Sequence, residues 1–191
     1  MFRGAADSAT PILLAAIEHA ARVGLAFTLP WHQALLGYAH ALNGEFEAAL
    51  TLLETALERS QEIHLPYLTS QTGARLAETL ALRDPRRALD VAETALRVSR
   101  ASGFRALEAE LLRVKAASLV SVDSEAAEAA AREGYGLAEW LGLDPEQGHG
   151  LRTLGDIMAA KGDVKKAEEL HGLARAKFRS LGMKRWSEGV V

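Results

Sequence analysis

The chain has 191 residues, 25% of them charged and 49% hydrophobic, which suits a protein with a packed interior in water rather than a disordered tail. Its 22 Lys and Arg against 25 Asp and Glu leave a net charge of −3, so nothing points to nucleic acid or an anionic membrane, and neither is expected as a partner. With no cysteine, disulfides, thiolate metal ligands and thiol nucleophiles are excluded.

The opening stretch MFRGAADSATP carries one early Arg and then Gly, Ala and Asp, unlike a secretory signal, and no apolar run approaches the ~18 residues of a membrane span. A cytoplasmic chain is the expectation. Aromatics are few, and Ala, Leu and Glu dominate, which predicts an all-α fold.

In chain order, the first expected element is a lone helix from about Thr10 to Val23. Four hairpins follow: 31–42 with 46–63, 67–82 with 85–101, 105–121 with 124–141, and 145–161 with 164–181. Their turns carry the stop or cap residues Gly44, Pro85, Asp123 and Gly162. That makes nine helices in a single domain, 1–191, with full repeats over 31–65, 66–104, 105–143 and 144–183 and a partial one over 1–25. Gly4 stands 40 residues before Gly44, and Ala9 matches Ala49, so the chain is expected to start inside a hairpin whose first helix is missing. At the other end KRWSEGVV begins where a next helix should begin and then stops, as if the array belonged to a longer one.

The repeat is visible in its punctuation. The apolar residue after each helix stop is Leu25, Leu65, Phe104, Leu143 and Met183, spaced by 40, 39, 39 and 40. Small residues keep the same step, at Ala9, Ala49, Ala88, Ala127 and Ala167, and again at Ala16, Ala56, Ala95, Gly134 and Ala174. Small residues seven apart share a helix face, where a neighbouring helix can approach closely, and a constant period of this size marks a stacked helical array.

Within the first full unit Leu36-Gly37, His40, Gly44, Phe46, Ala49, Leu53 and Ala56 fall in order. In the fourth, Leu154-Gly155, Met158, Gly162, Val164, Ala167, His171 and Ala174 do so. This pattern resembles the tetratricopeptide repeat (TPR). Ala77 and Ala116 replace its glycine in the middle units, and the period exceeds the usual ~34 residues because the second helices are long. The long-repeat type is similar to the C-terminal helical arrays of bacterial signal-transduction ATPases and cyclase-linked regulators. The resemblance implies a right-handed superhelical solenoid of about four full repeats, with first helices on the concave face.

No phosphate loop, zinc-protease or nucleophile-elbow motif is present, and Gly134-x-Gly136 and Gly148-x-Gly150 lack the third glycine and the preceding strand of a dinucleotide site. His40 and His171 take repeat positions normally aromatic, which predicts packing rather than metal ligation. Hence no catalytic residue, metal or cofactor is expected.

In the repeat register the inward rows are Tyr38, Glu78, Ala117 and Asp156; Ala34, Ala74, Arg113 and Arg152; and Trp31, Gln71, Glu110 and His149. One reading is a solvated face whose charges pair with one another. The other is a binding surface on which Arg113 and Arg152 meet carboxylates and Trp31 or Tyr38 anchors a protein or peptide partner. The leading expectation is therefore a protein-interaction scaffold within a signalling or transcriptional system, the alternative a small-ligand sensor that regulates a nucleotide-binding or cyclase partner. A polar, shallow inner surface would suit the scaffold, and a deep apolar pocket with converging polar groups the sensor. Self-association through the array ends is also expected, since Leu13, Leu14 and Ile17 are covered on one side only.

Overall fold

A computed structural model describes residues 6–81 and 83–188, and within them every regular element is helical. The order is α1 (Ala6–Arg22), a 3-10 turn (Ala26–Thr28), α2 (Leu29–Leu42), α3 (Phe46–Glu62), α4 (Pro66–Leu80), α5 (Pro85–Ala101), α6 (Arg105–Leu119), α7 (Ser124–Trp140), α8 (Asp144–Ala160), α9 (Val164–Ser180) and α10 (Lys184–Ser187). Ten α-helices therefore stand where nine were expected, because Lys184–Ser187 forms one more turn. The first helix also starts earlier than Thr10. Pro11 lies inside it, past the first turn, and so lacks the N–H of one intrahelical bond, and the Thr10 hydroxyl donates to the Ala6 carbonyl at 3.1 Å. Gly4 lies outside the described residues.

The periodic stops have one structural cause. Gly24, Gly103, Gly142 and Gly182 take φ between 66° and 76°, and His64 takes 52°. In each case the next residue, Leu25, Phe104, Leu143, Met183 or Leu65, donates its N–H to the carbonyl five positions back at 2.8–3.0 Å. This is the left-handed stop in which an apolar residue folds back on the last helical turn. That same residue then opens the next first helix, so stop and restart occupy one short segment. The second helices start differently: Asp84, Asp123 and Asp163 accept from backbone N–H groups of Arg87, Ala126 and Lys166 at 3.0–3.1 Å.

Each hairpin pairs a first helix with the following second helix, α2 with α3 through α8 with α9, and successive hairpins stack. The first helices also touch one another, α2 to α4, α4 to α6 and α6 to α8, whereas among the described residues the second helices make no comparable contact. The stack consequently bends with the first helices inside. Small residues let first and second helices approach closely. Ala49, Ala56, Ala88 and Ala127 are fully buried, and a Cβ placed on Gly73 would stand 2.7 Å from that of Ala95. Larger side chains fill the gaps between these contacts, with Leu53, Leu76, Leu111, Ile157 and Phe178 almost wholly enclosed.

Two substitutions test this account. Ala95→Leu, placed against Gly73, should destabilise the fold by about 1–3 kcal/mol through overpacking, and an unchanged urea midpoint would show that α4 and α5 can separate at no cost. His64 is exposed and is the one non-glycine with positive φ among the described residues. His64→Gly should stabilise by up to about 1 kcal/mol, the left-handed penalty less the extra freedom of glycine in the unfolded chain. Lower stability in the same assay would refute this.

Candidate functional site

The inward bend leaves a cavity of about 520 Å³. Every helix that lines it is a first helix: Tyr38 and Leu42 come from α2, Tyr67 to Glu78 from α4, Leu107 to Arg113 from α6, Glu146 and His149 from α8, and Trp186 from α10. Leu42, Leu107, Leu143 and Pro145 supply apolar wall, and Tyr67 meets Phe104 edge-on at 5.4 Å.

Along one side runs a chain of buried charges. Arg75 approaches Glu110 at 2.6 Å and Glu78 at 3.4 Å, and Arg113 reaches Glu78 at 3.1 Å and Glu146 at 2.6 Å. The Arg113 side chain is only 5% exposed, so removing both of its carboxylates would strand a buried cation. The Arg75 guanidinium also lies 4.3 Å over the Tyr38 ring. Burial raises the Tyr38 phenol well above its ordinary range, and Glu78 adds to the effect.

The three carboxylates are held differently. For Glu78, burial opposes the charge, but Arg113 and Arg75 together prevail and bring its pKa down to about 2. Glu146 has Arg113 on one side only. Burial, reinforced by the nearby charges of Glu110 and Glu78, outweighs that guanidinium and pushes Glu146 up to about 7. His149 is kept neutral: burial, then Arg113 and Arg152, holds its pKa well below the usual imidazole value. Its Nδ1 is buried with no hydrogen-bond partner among the described residues.

Of the residues expected on the inner face, Tyr38, Gln71, Glu78, Glu110, Arg113 and His149 line the cavity. Trp31 lies outside it, stacked on Tyr67 at 5.9 Å. Arg152 sits 4.8 Å over the Trp186 ring, and Asp156 turns outward to His171 at 2.9 Å. The two guanidiniums pictured as open to a partner's carboxylates are thus both engaged within the chain. Sequence reasoning missed Arg75, whose repeat equivalents Leu35, Val114 and Thr153 carry no charge. It also missed Glu146, which resembles an ordinary acidic residue in a first helical turn. One signal for Glu146 was present: its row holds Leu68 and Leu107, both buried.

Among the described residues no group of three or more His, Asp or Glu is placed to hold a metal ion, and no helix is long and apolar enough to cross a membrane. No family model matches the sequence, and no curated protein matches it. The crystal structure of BtubC (BKLC) from P. vanneervenii is similar in fold, with a TM-score of 0.68 over 98% of this chain and 88% of that one. At 19% identity the likeness concerns the fold alone.

The electrostatics give a pH prediction. Glu146 binds its proton more tightly folded than unfolded, where its pKa is about 4.3. Its contribution to stability is therefore fully present below that value and is lost as pH rises through about 7. Glu146→Gln keeps an oxygen for the Arg113 Nε donor and removes the titration. The stability of the wild type relative to this variant should fall by about 1–3 kcal/mol between pH 5 and 8, and His149, common to both, cancels. Denaturant melts showing a flat difference would contradict the raised Glu146.

Proposed function

We propose that the chain is a non-catalytic recognition module, a right-handed superhelical solenoid of tetratricopeptide type whose inner cavity receives the ligand. The observation that carries this reading is the cavity itself: about 520 Å³, walled by apolar and aromatic side chains, with charged groups along one side. That volume falls within the ~300–1,000 Å³ of small-molecule sites. The 39-to-40-residue period and the inward-facing first helices support the solenoid, and the likeness to BtubC supports the fold.

Of the two functions considered for the sequence, the small-ligand sensor gains most from this geometry, because a compact occupant fits an apolar-walled chamber better than an extended segment does. In a cytoplasmic regulator, the ligand would bias the curvature that a partner domain reads. The scaffold reading draws on a separate observation. Ile12 and Leu14 on α1 are 69% and 52% exposed, leaving an apolar face for docking or self-association at that end of the stack.

Ala106 separates cavity binding from binding elsewhere. It is exposed in the first turn of α6 and lines the cavity, so Ala106→Trp should fill the chamber without disturbing the core. With the melting temperature unchanged, the variant should lose the compound or segment that the wild type retains from cell extract, read by native mass spectrometry. Equal retention by both proteins would place binding off the cavity.

A further inference from the structure

The lining holds three carboxylates, Glu78, Glu110 and Glu146, and three guanidiniums, of which Arg75 and Arg113 are paired with those carboxylates. The other cations nearby serve elsewhere. Arg105 pairs with Glu108 at 2.5 Å, and Arg152 lies over Trp186. An anionic ligand that reached Arg75 or Arg113 would have to break a buried ion pair and strand a carboxylate, which is costly. A cation meets the opposite situation: the Arg113 ion pair engages Glu146 through Oε1, and the neighbouring His149 imidazole is neutral.

Two further features narrow the kind of cation. The carboxylates do not converge as a metal site, since no group of three His, Asp or Glu among the described residues is placed to hold an ion. The remaining wall is aromatic and aliphatic, with Tyr67 and Phe104 beside Leu107 and Leu143. Aromatic faces attract organic cations and also accept apolar groups. On these grounds, and resting on the reading that the cavity is the binding site, we propose that its ligand is an organic cation. The ligand has a compact apolar or aromatic body and one protonated amine or guanidinium group, its charge placed against Glu146 and its body against Tyr67 and Phe104.

A proton linkage follows. The charges facing Glu146 are Arg113 and Glu110 from α6, Glu78 and Arg75 from α4, and neutral His149 from its own helix. Because Glu146 is partly protonated near neutrality, a bound cation must displace that proton. Cation binding should accordingly release protons and strengthen as pH rises through 7.

The test uses three phenyl-bearing probes of similar size: phenethylamine, phenethyl alcohol and 3-phenylpropionate, titrated calorimetrically into the full chain at millimolar concentration. The amine should bind at least tenfold more tightly than the alcohol, the propionate least of all, and the heat for the amine should depend on buffer ionisation near pH 7. Glu146→Gln should erase the preference for amine over alcohol. Should that variant fold poorly, the buffer dependence of the wild type decides alone. Propionate binding as tightly as the amine, equal binding of all three, or no binding by the amine would each overturn the proposal. If the extract-derived ligand is still lost in Ala106→Trp, only the cationic assignment falls; if Ala106→Trp changes neither measurement, the cavity reading falls with it.

Discussion

Helices that lie against two neighbours at once are limited by the bulk of the side chains between them, and this limit governs the whole stack. Gly37 shows how tight it is: a Cβ there would stand 2.9 Å from Leu53 Cγ and 3.1 Å from the Ala49 carbonyl oxygen. Gly134 is similarly confined by the Ala109 carbonyl and Leu112 Cβ, both at 3.0 Å. Where first and second helices approach this closely, stacking buries the leucines between them, and no hairpin achieves that burial alone. The small residues thus set how closely the two helices of a hairpin approach.

Charge then fixes which hairpin sits where. Apolar contacts between alanine-rich helices tolerate sliding, but a buried ion pair does not, because displacement leaves an unpaired charge. Arg113 on α6 binds Glu78 on α4 and Glu146 on α8, so one side chain ties three successive first helices. On the outer layer Arg87 of α5 reaches Glu54 of α3 at 2.5 Å, and Arg100 of α5 reaches Glu133 of α7 at 2.7 Å. These outer pairs are more exposed and worth less individually, but they repeat the same cross-repeat connection. Arg113–Glu146, Glu54–Arg87 and Arg100–Glu133 are all 33 residues apart, one repeat less nearly two helical turns.

The helical fold was legible because its signals are local. Glycine stops, apolar returns and Asp caps act within five residues, so Gly103-Phe104 or Asp163 can be read without knowing the neighbours. Helix ends were placed within a few residues, the largest difference being at α1, expected from about Thr10 and already helical at Ala6. The site was legible only as far as the repeat register carried it. Tyr38, Glu78 and Arg113 were found by counting, since residues one period apart face the same way. Arg75 and Glu146 belong to the same network through contacts between hairpins, and those depend on how far one hairpin is rotated against the next. For Glu146 the 33-residue spacing from Arg113 was a clue to that rotation, and it appears only when charges are compared across repeats rather than aligned within them.

The last wall of the cavity brings these constraints together. Trp186 stands 40 residues after Glu146 and so takes the next inward position of the same row. It packs edge-on to His149 at 4.9 Å beneath the Arg152 guanidinium. Its neighbour Arg185 donates to the Leu42 carbonyl at the end of α2, joining residues that are four hairpins apart. The chamber is therefore bounded at both ends of the stack, and its dimensions depend on the accumulated angle between hairpins. An occupant that contacts α2, α6 and α10 together has a different free energy at each curvature. Differential affinity of this kind is the thermodynamic requirement for a ligand to change the shape of an array.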